Sequence, residues 1–118
     1  MKPIVEYLIN RQTKDIRQTI IKNITNELYR KFKKYDEFKH IKETGEICIT
    51  YAYEGDEEEF RKIFPKEVFD KARYEKDDNS EYYGYWFFEI ADIVDYFLSH
   101  NKTERQMLVT IVDWFSFL

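Results

Sequence analysis

Carboxylates are the most concentrated functional groups in this chain. Glu54, Asp56, Glu57, Glu58 and Glu59 precede Phe60 with only Gly55 between them, and a second group, Glu75, Asp77, Asp78 and Glu81, follows Pro65. Carboxylates spaced along one surface can stand in for the phosphates of a nucleic acid and pair with the Arg and Lys side chains of a protein that handles one. The competing explanation is local: Asp and Glu at the start of a helix complement its dipole, and loop charges are hydrated. Glu54, Asp56 and Glu58 are also of the type that holds Mg²⁺, but abundance alone assigns no metal site.

The opposite charge is densest at Arg30, Lys31, Lys33 and Lys34. Such a patch can contact phosphates without reading base sequence, which makes a nucleic-acid-binding accessory protein the alternative function. Cations in the last turn of a helix also satisfy its terminal carbonyls and dipole. The whole-chain pI near 5.3 has the wrong sign for a dedicated nucleic-acid binder.

Between Tyr82 and Phe88 stand six aromatics in seven positions, interrupted only by Gly84. In a strand, Tyr82, Gly84, Trp86 and Phe88 share one face while Tyr83, Tyr85 and Phe87 share the other. One face is expected to pack on helices. The other would present Tyr83 and Tyr85 as rigid anchors for a protein partner. Base stacking is less suited, because the segment has no Arg or Lys to hold a nucleic-acid backbone.

Signals for catalysis are sparse. Cys48 lies in an alternating apolar segment, where free cysteine most often serves as a small buried hydrophobe. His40 and His100 match no metal-ligand spacing, although folding can bring either near Cys48. The glycines at 45, 55 and 84 are too scattered to build a phosphate-binding loop, so no cofactor and no enzymatic activity is expected.

The elements that must position these groups follow from periodicity. Ile16, Ile20, Ile24, Leu28 and Phe32 recur every fourth residue, with Ile21 and Tyr35 widening the stripe of an amphipathic helix. Its start is either an N-cap at Thr13, with Asp15 in the first turn, or further upstream, with Val5 and Ile9 continuing the stripe. Pro3 can also open a short separate helix. From Glu46 to Tyr53 the period becomes two, the mark of a strand, and Glu43-Thr44-Gly45 offers a hairpin turn to a weakly patterned partner at 37–42.

Phe60, Ile63, Phe64, Val68, Phe69 and Ala72 suggest two helices between Asp56 and Tyr74, divided at Pro65. Asp77 to Ser80 reads as a loop, and 82–89 as a second strand. Ile90, Ile93, Val94, Phe97 and Leu98 return to helical spacing. Thr103 and Gln106 fit a capping box ahead of Met107, Leu108, Ile111, Val112, Phe115 and Leu118, although the β-branched run 109–112 leaves a strand as the rival for this segment.

The 118 residues suit one domain, 1–118, and 43% hydrophobic residues with 19% aromatic are sufficient for a core. The fold class expected is α+β, a long N-terminal helix and C-terminal helices packed on a small antiparallel sheet. No apolar run approaches membrane-spanning length. Glu6 interrupts the only stretch that resembles a leader, and the lone cysteine indicates no oxidising compartment, so a cytoplasmic location is expected.

The formal charge of −4 conceals an asymmetry, for residues 1–42 hold 11 Lys and Arg against 5 Asp and Glu, and the remainder 8 against 18. In general character the chain is similar to phage antagonists of bacterial defence, anti-CRISPR proteins among them, and to immunity proteins that neutralise toxins. That likeness implies a non-enzymatic acidic inhibitor that occludes a basic, nucleic-acid-handling protein such as a nuclease. Glu54, Asp56, Glu57, Glu58, Glu59, Asp77 and Asp78 would supply steering and charge pairing, with Tyr83 and Tyr85 as anchors.

Overall fold

Apart from Pro3, nothing in the first thirty-two residues interrupts a helix, and Pro3 falls in the first turn, where its missing N–H is not needed. The chain accordingly forms one helix, α1 (Lys2–Phe32), which continues through Thr13 and leaves that residue no capping role. The computed structural model describes residues 2–51, 54–79 and 84–118, with side chains over 13–50, 57–79 and 84–118. At 1.5 Å per residue α1 is about 46 Å long, and it sets the long axis of a molecule measuring 60 × 26 × 25 Å. Ile24, Leu28 and Phe32 are buried and Ile20 and Ile21 half-buried, whereas Ile16 is 53% exposed, so among the described side chains the apolar stripe enters the core from Ile20 onward; those of Val5 and Ile9 lie outside them.

After α1 the backbone makes a 3-10 turn (Asp36–Phe38) and a short helix α2 (Ile41–Thr44), then strand β1 (Glu46–Tyr51). The hairpin partner expected at 37–42 is therefore helical. Phe38 and Ile41, three residues apart, both point into the core, and Gly45 closes α2 with a left-handed φ of 70° while its N–H donates to Ile41 O at 2.8 Å. The Thr-Gly signal thus marks a helix C-terminus, the other common use of a glycine with positive φ. The 3-10 turn packs along β1 and covers that edge of the sheet.

Helix α3 (Glu54–Ile63) and α4 (Lys66–Phe69) are separated at Pro65, as the proline required. The segment that follows departs from expectation: Arg73 and Tyr74 belong not to a helix but to a third strand, β2 (Arg73–Lys76). Strand β3 (Gly84–Glu89) lies between the other two in the order β1-β3-β2, antiparallel to both. Residues 52, 53 and 80–83, which complete the strands expected at 46–53 and 82–89, lie outside the described residues.

Helix α5 (Ile90–Ser99) begins directly at the end of β3, and α6 (Glu104–Trp114) closes the described fold. The capping box decides the competition at 104–118. Gln106 N–H donates to Thr103 Oγ1 at 3.2 Å and Thr103 N–H to Gln106 Oε1 at 2.9 Å, and Met107, Ile111 and Trp114 are buried at helical spacing. The helices and the inner face of the sheet share one hydrophobic cluster. Its centre is aromatic: Phe64 meets Phe88 at 4.7 Å, Trp114 at 5.6 Å and Phe115 at 5.5 Å between ring centroids. Arg17 ties α1 to α5 through a two-pronged ion pair with Asp95, at 2.7 and 3.0 Å.

Candidate interaction surface

Opposed residues of an antiparallel ladder point to the same face of the sheet. The register therefore sets Cys48, Phe87 and Arg73 in one row and Thr50, Tyr85 and Glu75 in the next, with Glu46 opposite Glu89 at one end. The alternate rows, with Ile47, Ile49, Trp86 and Phe88, face the core and are buried. Helix rings meet only that inner face: Phe69 sits 4.5 Å from Trp86, and among the described residues no helix ring packs on Tyr85 or Phe87. Among the described residues the outer face is left open, with two half-buried aromatics at its centre.

Carboxylates bound those rings. Glu46 and Glu75 both hold Arg73, with Arg73 Nη2 3.0 Å from Glu46 Oε2, and the guanidinium lies 4.3 Å over the Phe87 ring. Tyr85 donates its hydroxyl to Asp77 Oδ2 at 3.1 Å. That bond, reinforced by the negative charge of Asp77, holds the phenol pKa above its usual value. Asp77 in turn accepts from Asn79 N–H at 2.9 Å, an Asx turn that fixes the loop after β2.

Cys48 is not the buried hydrophobe its alternating segment suggested. It stands on the outer face, half-buried beside Phe87. Partial burial pushes its thiol pKa up, and the charges of Glu37, Glu46 and Glu75 push it further. A thiol so placed stays protonated at neutral pH and is a poor nucleophile. His40 precedes α2 with its ring 3.9 Å from Glu43, and His100 caps α5 against Tyr96. Neither makes a hydrogen bond to Cys48, and among the described residues no group of His, Cys, Asp or Glu is arranged to hold a metal ion.

The two acidic segments meet at one end of the sheet but not on one face. Tyr51, Gly84 and Lys76 are aligned in the register, so the start of α3 and the Asp77-Asp78 turn lie at the same end. From there α3 runs on the inner side, where Phe64 joins the core and Arg61 stacks 4.4 Å over Phe69. Arg61 pairs with Glu57 at 3.0 Å and Lys62 with Glu59 at 3.3 Å, so helix cations neutralise two of these carboxylates, and Glu58 is exposed. Of the residues singled out by sequence, Asp77, Asp78 and Tyr85 come together. Glu57, Glu58 and Glu59 stand apart on α3; Tyr83 and the side chains of Glu54 and Asp56 lie outside the described residues.

Sequence reasoning placed Phe87 beside Tyr85 but did not find Glu46, Arg73 or Glu75 as their neighbours, because β2 was not visible as a strand. Alternation of charge through Arg73-Tyr74-Glu75-Lys76 is typical of a protected sheet edge and was the available signal. An open hollow of about 370 Å³ lies elsewhere, lined by Lys102, Thr103, Arg105, Gln106, Val109 and Thr110, and contains none of the residues so far named as site candidates. No helix among the described residues is long and apolar enough to cross a membrane. Comparison with protein-family models, curated proteins and solved structures finds no match to this chain.

Proposed function

We propose that the chain is a non-enzymatic inhibitor whose open sheet face docks on a basic protein surface, that of a nuclease or another nucleic-acid-handling effector. The observation that carries this reading is the seat of Arg73, a guanidinium stacked on Phe87 and held between Glu46 and Glu75. A face built to hold one arginine in this way has the chemistry to hold a partner's arginines beside it, with Tyr85 and Phe87 as anchors and Asp77, Asp78 and Glu89 as the acidic rim. Rim carboxylates act chiefly on encounter rate and give salt dependence, while the aromatic centre supplies residence time. Of Glu57, Glu58 and Glu59, at the adjoining end of the sheet, the exposed and unneutralised Glu58 adds to the field that steers a cationic partner. Phage anti-defence and toxin immunity are the settings in which such occlusion is useful.

The test is capture from host lysate by the tagged chain in parallel with Phe87→Ala and Glu75→Lys variants, at low and high salt. The expected result is a basic protein retained by the unaltered chain at low salt, released at high salt and lost from both variants. A partner retained equally by both variants, or failure to retain any basic protein at low salt, would refute the proposal.

A further inference from the structure

A second surface, of opposite charge, is left unused by the docking face. Lys14, Gln18, Lys22, Thr25 and Tyr29 follow one another at spacings of three or four and so share one face of α1, and Lys33 continues the spacing in the turn directly after it. Lys14, Lys22 and Lys33 are exposed, and Tyr29 is half-buried. Helix α2 adds Lys42, whose ammonium lies 4.7 Å over the Tyr29 ring, and Lys34 lies 5.3 Å over Tyr35 at the end of α1. Four arginines elsewhere are paired: Arg17 with Asp95, Arg30 with Glu27, Arg61 with Glu57 and Arg73 with Glu46. Lys14, Lys22, Lys33 and Lys42 make no ion pair among the described residues.

The helix dipole accounts for cations in the last turn only. Lys14 and Lys22 lie far upstream of it, so the stripe needs another explanation. At 1.5 Å per residue, Lys14 to Lys22 spans about 12 Å and Lys22 to Lys33 about 16 Å along a rigid rod. That first spacing is close to the width of about 12 Å of a duplex major groove, so successive lysines can reach phosphates on its two sides.

We infer that this stripe is a binding site for the phosphate backbone of duplex nucleic acid, read without regard to sequence. Single strands are disfavoured by the same geometry. Tyr29, the aromatic within the stripe, and Tyr35, just beyond the end of α1, are each capped by a lysine ammonium group and are not free to stack unpaired bases. The inference goes beyond the proposed docking function and uses none of the residues of the sheet face.

Fluorescence anisotropy of a labelled duplex of about 20 base pairs, titrated with the full chain, tests it. Three phosphate contacts give a log–log salt slope of about −2.7, so affinity should fall about 40-fold between about 50 and about 200 mM salt. Lys22→Glu with Lys33→Glu should reduce binding at least about tenfold. Arg105→Glu, on α6, should leave it unchanged, as should Phe87→Ala. The lysines are exposed, and circular dichroism melts of each variant confirm that the fold is retained. Four results would overturn the assignment: no duplex binding at the lower salt, preference for the matching single strand, equal binding by the Lys22/Lys33 variant, or binding to phosphatidylserine vesicles without binding to duplex.

Discussion

Phe87 and Phe88 are neighbours in sequence and lie on opposite faces of β3, so truncating each to alanine reports directly on whether the outer face is open. Phe88 is 2% exposed and packs at 4.7 Å from Phe64 and 5.8 Å from Phe69. Phe88→Ala should therefore cost about 3–5 kcal/mol, the range for a buried aromatic that leaves a cavity among surrounding rings. Phe87 is half-buried, with Arg73 over its ring and Tyr85 and Cys48 as neighbours on the same face, which places Phe87→Ala at about 1 kcal/mol, roughly half the transfer free energy of a fully buried side chain. A domain of this size has about 6–18 kcal/mol of stability in all, so both variants are measurable while folded. Urea titration followed by tryptophan fluorescence reads both, because Trp86 and Trp114 sit within the core. With a slope of about 1.5 kcal/mol per molar urea, the midpoint should fall by about 2–3 M for Phe88→Ala and by under about 1 M for Phe87→Ala. Equal losses for the two variants would mean that Phe87 is covered, and the docking face would have to be abandoned.

Three further outcomes follow from particular contacts. Arg17 holds the Asp95 carboxyl below the usual carboxylate range. Its folded pKa is therefore lower than the unfolded value near about 4, so the pair's stabilisation is complete above that value and is lost as pH falls through the folded one. Both side chains are about one-third exposed, at 33% and 38%. Solvent screening limits the effect to about 0.5–1 kcal/mol, and Asp95→Asn should flatten the acid limb of the stability–pH curve by that amount. A Cβ at Gly84 would clash with the hydroxyl end of the Tyr74 ring, which packs 5.2 Å from Trp86; this 43% exposed side chain must shift to admit it, so Gly84→Ala should cost about 1–2 kcal/mol and change the tryptophan near-ultraviolet dichroism. Thr103→Ala removes the reciprocal cap of α6 and should lower stability by about 1 kcal/mol in the same urea assay, with Thr103→Ser restoring it.

Where one physical signal was uncontested, local sequence was enough to place an element. The period-four stripe of α1, the alternation of β1 and β3 and the division at Pro65 are short-range effects whose cause lies within a few residues. Expectation failed where one residue type serves two geometries. Gly45 fits a hairpin turn and a helix C-terminus equally well, and the burial of Phe38 and Ile41 in one core selected the helix. Thr13 is a good cap in isolation, yet nothing upstream breaks the helix, so α1 continues through it. Arg73-Tyr74-Glu75-Lys76 has little strand propensity of its own and becomes β2 because β3 offers a ladder to pair with, a tertiary override of local preference.

The candidate surface divides in the same way. Sequence by itself determined that Tyr85 and Phe87 share a face, since alternation along a strand is a property of the backbone, and that charge is segregated along the chain. It equally determined the lysine face of α1, because helical spacing alone aligns Lys14, Lys22 and Lys33. Only the tertiary structure decided which side of β3 remains open, and it did so by packing Phe64 and Phe69 against Trp86 and Phe88. It also brought Glu46, Arg73 and Glu75, separated by up to 29 residues of sequence, around one aromatic ring. Pairings over such separations depend on strand order, and strand order is set by which apolar faces can be buried together, a property of the whole core that no local segment encodes.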